Sequence, residues 1–397
     1  MLRIRSYSIL KLLLLVVILS PAKDILEFYA VLFLLVVFTI GLYGVSVTRF
    51  DVYCLLVFFL VLFLLFIFRY FIIGIENFDY RDILEYGRVF FLVIIYISVK
   101  KIRLNLSDLI LILKVYLLTD FVLSSFQFFD VGGRLIDLAT DLYSTRSHVE
   151  NALYISRRSL GLSPDPGTHG LMVLFITIIL SVNYFFQLNS HRSNDLIYIL
   201  IGYVTILMSQ SQTAFVGLLF FVFTLIFTLF YYRNYLISRR RAVLFLCLLV
   251  LLAACVIIMF SNELRYLFTL FSQGLERSSY QARGEKTIYI WHLMSESPLG
   301  LISGYGKEFF GNYSRAMDNE HLYILAVWGL VIYSIFAISL LFSILRYFKR
   351  ENSISLFFTL PFIIGIPLAW PSSYYLVPKI SLLLVIFYTH YRQERNL

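Results

Sequence analysis

The chain has little charge. Asp, Glu, Lys and Arg make up 14% of its 397 residues, against the roughly 25% usual in soluble globular chains, while 60% of residues are hydrophobic and mean hydropathy is +0.84. A water-soluble enzyme is excluded on those numbers. It also has few cysteines: Cys54, Cys247 and Cys255 all sit inside apolar runs, so neither a disulfide framework nor a cysteine-based zinc site is available. No Asp-x-Asp pair suited to a nucleotide-sugar metal occurs. Although the formal net charge is +9, Lys and Arg are scattered in ones to fours and form no basic domain or aromatic-laced stripe, which argues against nucleic acid as a partner.

What is present in abundance is apolar sequence in lengths that cross a bilayer, about 20 residues each. Candidate crossings lie near 4–20, 25–47, 52–75, 83–99, 106–129, 170–187, 196–210, 212–232, 241–260, 319–345, 354–370 and 375–391. The first is interrupted by Lys11 and is followed by no small-x-small cleavage site, so it is expected as a span and not as a cleaved leader. The reading is an all-α, polytopic membrane protein of about twelve helices, one membrane domain over 1–397.

The cations test that count, because cytoplasmic loops carry an excess of Lys and Arg. Arg3 and Arg5, Arg49, Lys100-Lys101-Arg103, Arg192, Arg233 with Arg239-Arg240-Arg241, Arg346-Lys349-Arg350, and Arg392 with Arg395 all fall on one side. Both termini are therefore expected in the cytoplasm. The two long loops, about 130–169 and 261–318, are expected outside it and partly helical. No internal repeat is visible.

Polar residues at membrane depth are costly unless they serve a function. Arg69, Arg88 and Asp120 lie near outer helix ends, where they snorkel or line a cavity open to that side. Lys114 is deeper and has no partner within its own helix, since Asp108 and Asp120 lie on other faces. The uncharged string Ser209-Gln210-Ser211-Gln212-Thr213 reads as a hairpin turn, with a corner near a sugar-binding cavity as the alternative.

Most of the chemistry-bearing side chains crowd into the two long loops. The first holds Arg157-Arg158 and the turn-rich Ser163-Pro164-Asp165-Pro166-Gly167-Thr168-His169-Gly170; the second holds Arg283-Gly284-Glu285-Lys286, read as the start of an amphipathic interfacial helix reaching Trp291. Outward-facing arginines suit an anionic ligand, because guanidinium makes bidentate charge-assisted bonds to phosphate oxygens. Gly304-Tyr305-Gly306 follows as a flexible passage, with no preceding strand to support a dinucleotide fingerprint. Asp318-Asn319-Glu320-His321 then runs into an apolar helix. A histidine beside a carboxylate there is a candidate general base, and Asn319 a candidate N-cap.

Taken in order, the Arg-containing stretch ending in PDPGTHG, the Ser-rich hairpin, RGEKTIYIW with SPLGLISGYG, and NEHLYILAVWGL resemble the O-antigen polymerase and O-antigen ligase superfamily of bacterial inner membranes, over about residues 155–335. The resemblance implies that loop arginines hold the undecaprenyl pyrophosphate of a lipid-linked glycan and that a histidine closes the second loop. Those roles fall on Arg157 or Arg158, on Arg283, and on His321. The family often has His followed by Asn, whereas here His321 follows Asn319 and Glu320, which makes Glu320 a competing base.

The implied activity is glycosyl transfer from a polyprenyl-pyrophosphate donor at the periplasmic face of the inner membrane, with no metal and no cofactor. Polymerase is favoured, extending a lipid-linked repeat unit; a ligase transferring to lipid A core, or a lipid-linked oligosaccharide flippase, is the alternative. The expected partners are the undecaprenyl-pyrophosphate-linked oligosaccharide, the lipid bilayer and, as a family expectation, a chain-length regulator.

Overall fold

The computed structural model describes residues 2–21, 23, 25–44, 47–72, 80–100, 105–186, 194–231, 247, 251, 254, 258–273, 278–296, 298–310, 317–349 and 355–395. Among these, helices occupy eleven of the twelve expected crossings: α1 (Leu2–Leu19), α2 (Ile25–Tyr43), α3 (Arg49–Ile67), α4 (Tyr80–Lys100), α5 (Leu106–Phe128), then, past two short helices α6 (Arg134–Tyr143) and α7 (Arg146–Val149), α8 (Pro166–Phe186), α9 (Asp195–Ser209) and α10 (Gln212–Tyr231). The second long loop contributes α11 (Arg265–Gln273), α12 (Ser278–Glu296) and α13 (Gly300–Ser303); α14 (Glu320–Tyr323), α15 (Gly329–Lys349), α16 (Leu356–Leu368) and α17 (Pro378–Arg395) complete the chain. The expected crossing at 241–260 lies almost wholly outside the described residues. No strand occurs among the described residues, and five helices are long and apolar enough to cross a membrane. The chain is an all-α polytopic membrane protein.

Helix α8 is the axis of the bundle. Its residues are buried almost throughout, and it packs on α9, α10 and α16, with α5 and α17 beyond. Apolar burial does not drive such packing within lipid, so close van der Waals fit must. Thr177 and Ser181 on α8 donate within the helix to the carbonyls of Val173 and Thr177, whereas His169 and Asn183 reach Asp120 and Asp195 on neighbouring helices.

The intramembrane charges find partners that are remote in sequence. Lys114 on α5 pairs with Asp195 at the start of α9, joining two helices whose contact the sequence does not announce. Arg69 faces Asp82 at 3.6 Å. Arg88 lies 3.4 Å from Glu85, which also takes Lys307 of the second loop at 2.7 Å. Asp120 is fully buried: its carboxylate accepts from the N–H of Leu162 at 2.7 Å and contacts His169 Nε2 at 2.8 Å. It therefore anchors the first long loop to α5 instead of snorkelling.

Candidate active site

The first loop is held down residue by residue. Gln127 at the end of α5 accepts from the N–H groups of Leu160 and Gly161 at 2.9 and 2.8 Å, and Ser159 N–H donates to the Met208 carbonyl. Gly161 has φ +51°, and a Cβ there would collide with the Asp120–His169 pair, so the loop can sink this deep only with glycine. Asp165 then accepts from Thr168 N–H and Oγ1, at 2.9 and 2.6 Å, and starts α8. The PDPGTHG string is partly buried, and its His169 contacts the Ser159 carbonyl, just after Arg158, at 3.1 Å.

Arg157 and Arg158 are sent to opposite sides. Arg157, exposed and left-handed at φ +49°, lines a 570 Å³ cavity with Asp130, Asp137, Tyr154 and Glu263. Arg158 instead lies over the Tyr266 ring, 4.2 Å from its centroid, with Nε 3.4 Å from the Ser209 carbonyl. It lines a second cavity, about 410 Å³, together with Asp165, Ser211, Gln212, Thr213, Arg283 and Asp318.

The hairpin between α9 and α10 ties the two loops together. Gln210, at φ +47°, donates to the carbonyls of Arg157 and Glu263 at 2.9 and 2.8 Å and accepts from Leu267 N–H at 3.1 Å. Gln212 donates to the Tyr266 carbonyl and to Thr269 Oγ1. A polar, uncharged turn between two apolar helices was the only sequence signal for this role.

Arg283 arrives from α12. Its Nε lies 2.8 Å from Asp318 Oδ2 and Nη1 donates to the Pro371 carbonyl at 3.3 Å. The α12 helix does not segregate its apolar residues as the amphipathic reading expects: Ile290, on the face of Arg283 and Lys286, is buried with Met294, while Ile288, Tyr289 and Trp291 are exposed. Gly304 and Gly306 do not form a flexible passage. Tyr305 and Gly306 donate to the carbonyls of Ala326 and Val327, and Gly304 (φ +76°) meets Gly329 (φ +83°) so closely that a Cβ on either would strike the other's backbone.

The two candidate bases lie away from these arginines. Asn319 caps α14, accepting from Leu322 N–H at 3.0 Å. The helix start turns Glu320 inward, where its carboxylate accepts from the N–H groups of Tyr374, Tyr375 and Leu376, the first two at 2.8 and 2.9 Å. A carboxylate with three backbone donors fixes the turn after α16. His321, one residue further round, contacts the Ile366 carbonyl at 3.3 Å and lies among Tyr333, Phe336 and Trp370. Neither lines the cavity of Arg158 and Arg283. Two acids do, Asp165 and Asp318: Asp165 is engaged by Thr168, and Asp318 faces Arg283.

A further cavity of about 490 Å³ adjoins this one. It is lined by Lys23, Glu85, Arg88, Lys307 and Lys379, and shares His148 with its neighbour.

Comparison with known proteins gives one family match: residues 197–331, about a third of the chain, match the family model described as O-Antigen ligase. That segment holds the hairpin, Arg283, Asp318, Glu320 and His321; Arg157 and Arg158 lie outside it. No curated protein matches. The helices and the match together point to a multi-pass bacterial membrane protein, and the similarity over 197–331 supports the O-antigen polymerase and ligase superfamily, whose members act on lipid-linked glycans.

Proposed function

We propose that the chain is a glycosyltransferase of the O-antigen polymerase type, working at the periplasmic face of the inner membrane. It takes a glycan from undecaprenyl pyrophosphate and places it on a new lipid-linked repeat. The observation that carries this reading is the convergence of Arg158 and Arg283, from two separate loops, on one cavity that also holds Asp318.

In the proposed step the acceptor hydroxyl oxygen attacks the anomeric carbon of the donor. The bond from that carbon to the phosphate oxygen breaks, its electron pair leaves with the pyrophosphate, and the hydroxyl proton goes to a base on the protein. Arg158 and Arg283 meet phosphate oxygens as negative charge grows there. Arg157 lines a different cavity and has no part. Asp318 is the base this geometry favours over His321 and Glu320. At rest it is paired with Arg283, and when Arg283 turns to a phosphate its carboxylate is free to take a proton. Both partners are about two-fifths exposed, so opening the pair costs little, of the order of 1 kcal/mol or less. The chemistry asks for no metal and no cofactor.

A ligase reading is second, favoured by the description of the matching family. Purified chain given an undecaprenyl-pyrophosphate repeat unit separates the two. A polymerase makes longer lipid-linked chains from that substrate alone and releases undecaprenyl pyrophosphate, with EDTA making no difference. A ligase transfers only when lipid A core is added. Movement of the substrate between leaflets without transfer would contradict both.

A further inference from the structure

The cavity adjoining the Arg158–Arg283 site carries an unbalanced charge. Lys23, Arg88, Lys307 and Lys379 line it against a single carboxylate, Glu85. Glu85 is already shared by Arg88 and Lys307. Lys379 is 3% exposed, donates to the Leu162 carbonyl at 3.2 Å, and stands 5.4 and 5.6 Å from the ring centroids of Tyr116 and Tyr143. No carboxylate of a described residue lies within ion-pairing distance of it, and the acid on that side, Asp120, is engaged by Leu162 and His169. Buried like charges repel strongly where the dielectric is low, and a buried ammonium whose hydrogen bond goes to a carbonyl and whose one nearby acid, Asp120, is already engaged is costly enough to imply a use.

The loop-side cavity differs: its two arginines face two acids, Asp165 and Asp318. The two cavities are neighbours. They share His148, and consecutive residues split between them, with Pro164, Met317 and Ser373 on one side and Asp165, Asp318 and Ser372 on the other. The cationic one lies among the first turns of α4, α8 and α17, lined there by Glu85, Arg88, Thr168, Met172 and Lys379.

We propose that this second cavity seats the lipid-side phosphate of the donor's pyrophosphate, with Lys379, Arg88 and Lys307 as ligands. A polyprenyl pyrophosphate brings negative charge to a lining of four cations and one carboxylate. The glycan then extends into the loop-side cavity, where Arg158 and Arg283 meet the phosphate nearer the sugar and Asp318 faces the acceptor. The identity of the lipid rests on the glycosyl-transfer reading; the anion seat rests on the cavity.

The test uses the full chain in nanodiscs, with undecaprenyl pyrophosphate free of sugar as the probe and undecaprenyl monophosphate and inorganic pyrophosphate as comparisons. Lys379→Met and Lys307→Met should each weaken binding of the pyrophospholipid about 10- to 100-fold, the worth of a hydrogen bond to a charged group. Lys379→Met replaces a buried cation with an apolar side chain of similar length, so it should still fold, and a thermal scan checks both variants. Arg157→Gly should leave binding within about twofold, since Arg157 lines a different cavity. Inorganic pyrophosphate binding as tightly as the lipid would place the affinity in the headgroup alone and overturn the lipid assignment. Unchanged binding in both lysine variants, with loss in Arg158→Ala and Arg283→Ala, would overturn the seat and leave the transfer reading intact. Lysine-dependent binding without any glycan transfer would uphold the seat and defeat that reading.

Discussion

Arg283 and Asp318 form an ion pair, Nε to Oδ2 at 2.8 Å, that closes one wall of the loop-side cavity while Arg158 forms another. On the proposed reading, the pair joins a cation for phosphate to an acid for the hydroxyl proton, each holding the other until substrate arrives. Its two members should therefore fail differently. Arg283→Ala should lower transfer about 10²- to 10³-fold, the loss of one preorganised donor to developing charge. Asp318→Asn should lower the rate of the chemical step with little change in donor binding. Single-turnover rates and donor affinity, measured together, check both; equal losses of affinity in the two variants would contradict the division of roles.

Arg157 and Arg158 can be separated by their backbones. Since Arg157 sits at φ +49°, glycine is well suited to the position, and Arg157→Gly should keep transfer within about threefold while the chain folds normally. Arg158→Ala should lose about 10²-fold or more. Transfer by the two purified variants, corrected for the amount of folded protein, decides the matter. Equal losses would mean that the cavity of Arg157 also takes substrate.

His321 and Glu320 yield a prediction that reverses the family-derived expectation. Glu320→Ala leaves three backbone N–H groups without their acceptor, at roughly 1–3 kcal/mol for each buried donor left unmet, so the protein should accumulate poorly and melt early. His321→Phe should retain fold and most activity, because the ring lies among aromatics and off the cavity. Melting curves and transfer assays on both variants test this. A folded His321→Phe protein with activity down more than 100-fold would restore histidine as the base.

Gln210 should behave as a structural hub. Its amide bonds carbonyls of both loops and receives Leu267 N–H, so Gln210→Leu should destabilise by about 2–5 kcal/mol through several unmet backbone groups. Limited proteolysis should then cut both long loops faster, with the apolar helices intact. Faster cutting of only one loop would show that the hairpin does not couple them.

The Lys114–Asp195 pair makes a separate test of the helix packing. Removing Lys114 alone as Lys114→Met leaves a buried carboxylate unpaired, at about 3–5 kcal/mol, whereas the double variant with Asp195→Asn should recover most of that loss. A double-mutant cycle in detergent melts measures the coupling, and additive losses would mean that the helices are held without the pair.

Much of this architecture is legible in the sequence because bilayer length and loop cations are both linear signals: runs of apolar residues mark the helices, and the clusters around Arg158 and Arg283 mark the loops that meet. The rest depends on directions that spacing does not encode. Arg157 and Arg158 are adjacent, yet they line separate cavities. Glu320 and His321 resemble a catalytic pair, but where the helix starts decides that one caps a distant turn and the other packs on rings. Lys114 and Lys379 find their surroundings only across helices, so neither Asp195 nor the cationic cavity can be read from either residue's own neighbourhood. Glutamines in a short turn look like solvent-facing filler until their carbonyl partners are seen.

Transfer of a glycan from a lipid pyrophosphate at the proposed site of Arg158, Arg283 and Asp318 can be measured directly. The most direct measurement supplies purified chain with a synthetic undecaprenyl-pyrophosphate repeat unit and follows product glycolipids by mass spectrometry, beside the Arg283→Ala and Asp318→Asn variants. Lipid-linked dimers and longer chains, matched one for one by released undecaprenyl pyrophosphate and nearly absent in both variants, are the predicted result. Substrate returned unchanged by the wild-type chain, with or without added lipid A core, would contradict the account.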